Sequence, residues 1–78
     1  MYKIKKIDDG TTFEFDTFQY YDFKVMLFNE QKKEQLILPA FMTANFKSMI
    51  GDAKNGKIEF AIGEHDKGKK YIMIKKLE

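Results

Sequence analysis

The only histidine of the chain, His65, stands between Glu64 and Asp66 in the stretch GEHDKGKK. An imidazole beside two carboxylates has the composition of a metal ligand set or a general base. A metal needs several ligands that converge, and a base needs a proton donor within reach. Sequence neighbours on a strand point to opposite faces, so Glu64 and Asp66 do not both join His65. His65 therefore reads as a solvated turn residue, and no metal site is expected. Ser48 is the sole serine and cysteine is absent, which leaves no activated nucleophile. The glycines never assemble into a phosphate loop; Gly63 and Gly68 bracket a turn instead. Asp8 and Asp9 read as a structural turn pair. The chain is expected to be neither an enzyme nor a cofactor carrier.

What remains is rings and lysines. Residues 13–28 read FEFDTFQYYDFKVMLF and hold seven of the twelve aromatic side chains. A small domain does not readily hide so many rings in one segment, so some should form a working surface. The basic residues are all Lys. That usage fits the codon bias of an AT-rich genome. It also suits diffuse attraction to phosphates better than bidentate reading of duplex bases, which is the work of Arg. The net charge is +2, unevenly spread. Residues 1–30 carry four Lys against six acids, a balance of −2, and residues 31–78 carry ten against six, a balance of +4.

Elements must position these groups. Tyr2–Ile7 is a short strand candidate, ended by the turn Asp8-Asp9-Gly10. Thr11–Phe18 alternates, with Phe13 and Phe15 on one face. Tyr20–Phe28 reads as the strongest strand. Its apolar face is Tyr21, Phe23, Val25 and Leu27; Tyr20, Asp22, Lys24, Met26 and Phe28 lie on the wetter one. Phe13, Phe15, Tyr21 and Phe23 are thus expected in the core, and Tyr20 as the exposed ring. Glu34–Leu38 is the next strand, closed by Pro39.

Helical period occurs once, in Met42, Phe46, Met49, Ile50 and Ala53. It predicts a helix over Thr43 to about Lys54, with Thr43 as N-cap and Asn55-Gly56 at the C-terminal end. Gly51 weakens this helix and favours an early end. Lys57–Glu64 and Lys70–Leu77 then form a hairpin. Ile58, Phe60 and Ile62 point inward, and Ile72 and Ile74 oppose Tyr71, Met73 and Lys75. Phe46 and Ile50 should pack on Val25, Ile58, Phe60 and Ile62.

A chain of 78 residues makes a single small domain, 1–78, that buries roughly 60% of its surface. Without cysteine, neither disulfides nor thiolate metal sites reinforce it. There is no secretory leader pattern and no apolar run near the ~20 residues of a membrane span. A cytoplasmic protein without membrane contact is expected.

The strand and helix order gives the fold class as mainly β (α+β). It fits a small five- to six-stranded antiparallel Greek-key barrel with one helix between the third and fourth barrel strands. The stretches LILPAFMTANFKSMI and GKIEFAIGEHDKGKKYIMIKKL carry a resemblance of pattern. In them the chain resembles the small OB-fold single-stranded-DNA-binding proteins of phages and mobile elements. An open α+β sheet with the helix across one face is the rival architecture.

The resemblance implies a non-catalytic, largely sequence-independent module for single-stranded DNA or RNA. Bases would stack on exposed rings while Lys tracks the phosphates. The residues placed for this are Tyr20 and Lys24 on one strand, and Lys67, Lys69, Lys70, Tyr71 and Lys75 at the closing hairpin. The alternative is a small phage-type inhibitor or adaptor that binds a host or defence protein. The acidic residues Asp8, Asp9, Glu14, Asp16 and Asp22 would then imitate nucleic-acid charge. The aromatic face would serve a homo-oligomer or partner interface equally well.

Overall fold

A computed structural model describes residues 1–77. Its elements in order are β1 (Lys3–Ile4), β2 (Thr12–Phe15), β3 (Thr17–Tyr21), β4 (Lys24–Asn29) and β5 (Glu34–Leu38). A 3₁₀ turn (Ala40–Met42), α1 (Thr43–Ile50), β6 (Gly56–Glu64) and β7 (Lys70–Leu77) follow. The chain is mainly β, with one short helix between β5 and β6. No helix among the described residues is long and apolar enough to cross a membrane.

The strands form two sheets, one ordered β1-β5-β4-β3 and the other β2-β6-β7. They do not close into the expected barrel. Closure would bring β7 to the free edge of β5, and that edge is taken by β1. The pairing is parallel, Lys3 beside Glu34 and Ile4 beside Gln35, so the strands are not all antiparallel. Only two residues of the expected Tyr2–Ile7 strand pair. They are held by the Tyr2 hydroxyl, which donates to Glu30 at 2.6 Å, and by a Lys5–Glu34 ion pair at 3.8 Å.

The expected strand Thr11–Phe18 is broken at Asp16, where the chain leaves one sheet for the other. The Asp16 N–H donates to the Phe28 carbonyl at 2.9 Å. Its carboxylate accepts from the Glu30 N–H at 2.9 Å. Buried Asn29 ties the sheets together at the same place, donating to the Glu14 carbonyl at 3.0 Å and accepting from the Lys32 N–H at 3.0 Å. At the other end, Asp9 accepts from the Ile62 N–H at 3.0 Å, a structural role that fits the turn reading of the Asp8–Asp9 pair.

The expected strand Tyr20–Phe28 is broken too. A two-residue turn at Asp22-Phe23 separates β3 from β4, with Tyr21 opposite Lys24. This overturns the core assignment of Tyr21 and Phe23, which are 68% and 83% exposed.

The helix ends at Ile50 and not near Lys54. Gly51 takes φ 57 and ψ −121, a region open essentially to glycine alone. Gly51, rather than Asn55-Gly56, closes the helix; Gly56 opens β6. Thr43 does not cap the N-terminus. The helix is entered through the 3₁₀ turn, where the Met42 N–H donates to the Pro39 carbonyl at 3.0 Å. Pro39 ends β5 as expected.

One core joins both sheets and the helix. Phe13 and Phe15 enter from β2, Val25 and Leu27 from β4, and Leu36 and Leu38 from β5. Ile58 and Phe60 face them from β6, and Met42, Phe46 and Ile50 cover the end. Phe46 and Ile50 thus share one core with Val25, Ile58 and Phe60, but Ile62 is only half-buried and the strand that lies nearest the helix is β7 rather than the expected β6.

Candidate nucleic-acid interface

At the tip of the β3–β4 hairpin both central residues are left-handed, Asp22 at φ 50 and Phe23 at φ 66. Positive φ at both positions defines the tight hairpin turn that matches strand twist, and Asn-Gly or Asp-Gly is its usual sequence. Asp22 suits the first position. Phe23 occupies the second, where a side chain crowds the backbone. The Thr43 hydroxyl donates to the Phe23 carbonyl, which pins the tip against the start of α1.

The hairpin tip and the helix enclose a cleft of about 460 Å³. One wall is Tyr20, Tyr21, Asp22 and Phe23. The other is Ala40, Thr43, Ala44 and Lys47. Lys47 Nζ lies 4.7 Å from the centre of the Tyr20 ring, a cation–π contact. Behind it, Tyr20 meets Phe18 edge-on at 5.5 Å, and Phe18 meets Phe46 at 5.3 Å. Tyr20 is thus held from the core side while 45% of it stays exposed. Partial burial pushes its phenol above the ordinary tyrosine range.

The register corrects one expectation directly. Tyr20 stands opposite Val25, and Tyr21 opposite Lys24. Paired residues of an antiparallel ladder share a face. Tyr20 therefore lies on the core side with Val25, and Lys24 on the outer side with Tyr21. They do not share one strand face.

The second hairpin carries the remaining expected residues. Its turn is closed by the His65 N–H donating to the Lys69 carbonyl at 2.8 Å and the Gly68 N–H to the His65 carbonyl at 2.9 Å. Lys67, Lys69 and Lys70 are all exposed there. Tyr71 stands opposite Gly63, Met73 opposite Ala61 and Lys75 opposite Glu59, so all three share the outer face as expected. The Tyr71 ring covers Gly63 so closely that a Cβ there would collide with it. The His65 ring sits 4.7 Å away. Tyr71 is therefore a partly covered ring, 38% exposed. Lys70, opposite Glu64, lies on the other face.

The seven expected residues thus divide between two hairpins in two sheets. Tyr21, Phe23 and Lys47 belong to the aromatic cleft and were not expected there. The one signal for the first two is Asp22, the only turn-forming residue within FQYYDFKV. Lys47 carries no such signal, because its place depends on where the helix docks.

No protein-family model matches the chain, and neither a curated protein nor a solved structure gives a significant match.

Proposed function

We propose that the chain is a non-catalytic module that binds single-stranded nucleic acid, with the aromatic cleft of the first hairpin as its main contact. The observation that carries this reading is Phe23. A bulky ring at φ 66 is held where glycine would fold more easily, and it is 83% exposed. Folding gains nothing visible from that ring, whereas a stacking surface does. Strain of this kind accumulates at working sites.

The chain path supports the reading. A strand bent at Asp16 is shared by two sheets. It is followed by a hairpin partner, a third strand, a helix and a closing hairpin. We read this as an OB-type path left open because β1 occupies the edge of β5. In an OB-fold the loops that flank the bound strand are those after the first and fourth strands. Here they are the Asp22-Phe23 turn and the His65–Lys69 turn. The first would supply rings, with Lys24 and Lys47 beside them. The second would supply Lys67, Lys69 and Lys70, with Lys75 and the half-covered Tyr71 on the outer face beyond. Lysines of this kind attract phosphates without reading sequence. We place such a module in the cytoplasm.

The exposed apolar rings favour a second reading, a protein partner. Phe41, 68% exposed, follows Ala40 of the cleft wall in the 3₁₀ turn. A gel shift with single-stranded oligonucleotides at low and moderate salt, with duplex as control, separates the two. Binding that prefers the single strand and weakens with salt supports the proposal. No shift at low salt transfers the cleft to a protein partner.

A further inference from the structure

This inference rests on the nucleic-acid reading and concerns what the cleft selects. Its volume of about 460 Å³ lies in the lower half of the roughly 300–1,000 Å³ usual for small-ligand clefts. Tyr20, Tyr21 and Phe23 line one side, with Lys47 Nζ over the Tyr20 ring, and Ala40 and Ala44 line the helix side.

The polar groups are few and of opposite sign. Lys47 is the only cation of the lining and Asp22 the only anion. Lys47 leans over Tyr20. Asp22 makes neither an ion pair nor a side-chain hydrogen bond among the described residues. An ionised carboxylate can only accept hydrogen bonds. Asp22 is exposed and so met by water; a guest that replaces that water must bring N–H donors, and one that turns a carbonyl towards the carboxylate is repelled.

We propose that the cleft takes one unstacked nucleobase of a bound strand, and that Asp22 selects a base carrying an exocyclic amine. Cytosine is favoured over thymine. The two rings are nearly equal in size and both stack on Tyr or Phe, so stacking does not separate them. Cytosine presents its N4 amine, for which a carboxylate is the matching acceptor, and thymine presents the O4 acceptor at the same place. Lys47 on the opposite wall receives a phosphate of the same strand. One base is selected within a contact that is otherwise tolerant of sequence.

The test is titration of the full chain with single-stranded oligo-dT, and with the same oligomer carrying dC at one central position, at neutral pH and fixed low salt. The single dC should tighten binding about tenfold, inside the range of one good base contact. Asp22→Asn keeps a residue that tolerates positive φ and adds an amide that can donate as well as accept. It should bring the two oligomers to equal affinity. Ala44→Leu, at an exposed helix position, should fill the cleft and weaken both oligomers. Equal affinity of the wild type for both oligomers overturns the base selection and leaves strand binding standing. A dC preference that survives Asp22→Asn overturns the role of Asp22. Binding to neither oligomer overturns the inference together with the reading beneath it.

Discussion

Phe46 is fully buried, with the Phe18 ring at 5.3 Å and the Phe15 ring at 5.7 Å. It joins the helix to both halves of the strand bent at Asp16. Phe46→Ala should remove about 3–5 kcal/mol of stability, a large share of the roughly 5–15 kcal/mol that a small domain has. A chemical denaturation midpoint measures this, and an unchanged midpoint would show that the helix is not seated on this ring. Tyr2 gives a pH-dependent case. Its hydrogen bond to Glu30, with burial and the negative charges of Glu30 and Asp16, raises its phenol above the ordinary 10.0. The neutral phenol is the form the fold favours. The contribution of Tyr2 is therefore complete below pH 10 and disappears as pH climbs through the raised value. The stability difference between wild type and Tyr2→Phe should be largest near neutrality and vanish at strongly alkaline pH. A constant difference would mean that the Tyr2–Glu30 contact is not formed in solution. Residue identity made some of this legible: Phe46 stands out from the helical spacing alone. Tyr21 and Phe23 did not stand out as surface rings. A two-residue turn leaves the count of alternate positions undisturbed, so Tyr21, Phe23, Val25 and Leu27 read as one continuous face.

The β4–β5 and β6–β7 pairs follow from alternation and from the Pro39 and Gly68 breaks, because each strand there turns its more covered side chains to one face, mostly buried in β4 to β6 and half-buried in β7. Residues 11–28 were harder. The break at Asp16 is decided by tertiary bonds to Phe28 and Glu30, which no local pattern announces. Barrel closure was equally hidden, since β1 is two residues long and its competition for the β5 edge is a matter of register. The helix end was legible in kind but misplaced. Gly51 reads as an interior residue that weakens the helix and favours an early end; its φ of 57 and ψ of −121 make it the terminator itself. Gly51→Ala should accordingly lower stability by about 1–3 kcal/mol, although Ala is the better helix former. A calorimetric or denaturant series checks the sign; stabilisation would mean that the helix runs on towards Lys54. Of the candidate site, the second hairpin and its lysines were legible as a basic turn. The cleft was not, because it forms where a hairpin tip meets a helix that is distant in sequence.

For the molecule as a whole, the two hairpins present rings at one turn and lysines at the other, on a chain whose net charge is only +2. Under the proposed function, attraction to a strand comes from local lysines. Affinity for a single-stranded oligonucleotide should fall with log salt at a slope near −0.7 per phosphate contact. Lys69→Ala should lessen that slope by somewhat under one unit, and an unaltered slope would remove the second hairpin from the contact. The first hairpin is tested by Phe23→Gly. Glycine relieves a left-handed residue and should make the fold more stable by about 1 kcal/mol, while it deletes the most exposed ring of the cleft. The decisive measurement is the affinity of wild type and Phe23→Gly for one single-stranded oligonucleotide, read by tyrosine emission at low salt, with the melting temperature of each protein beside it. The account predicts that Phe23→Gly melts no lower than wild type and binds more weakly by ~1–3 kcal/mol, the worth of one stacked base. Equal binding by the two proteins, or no binding by the wild type, would contradict it.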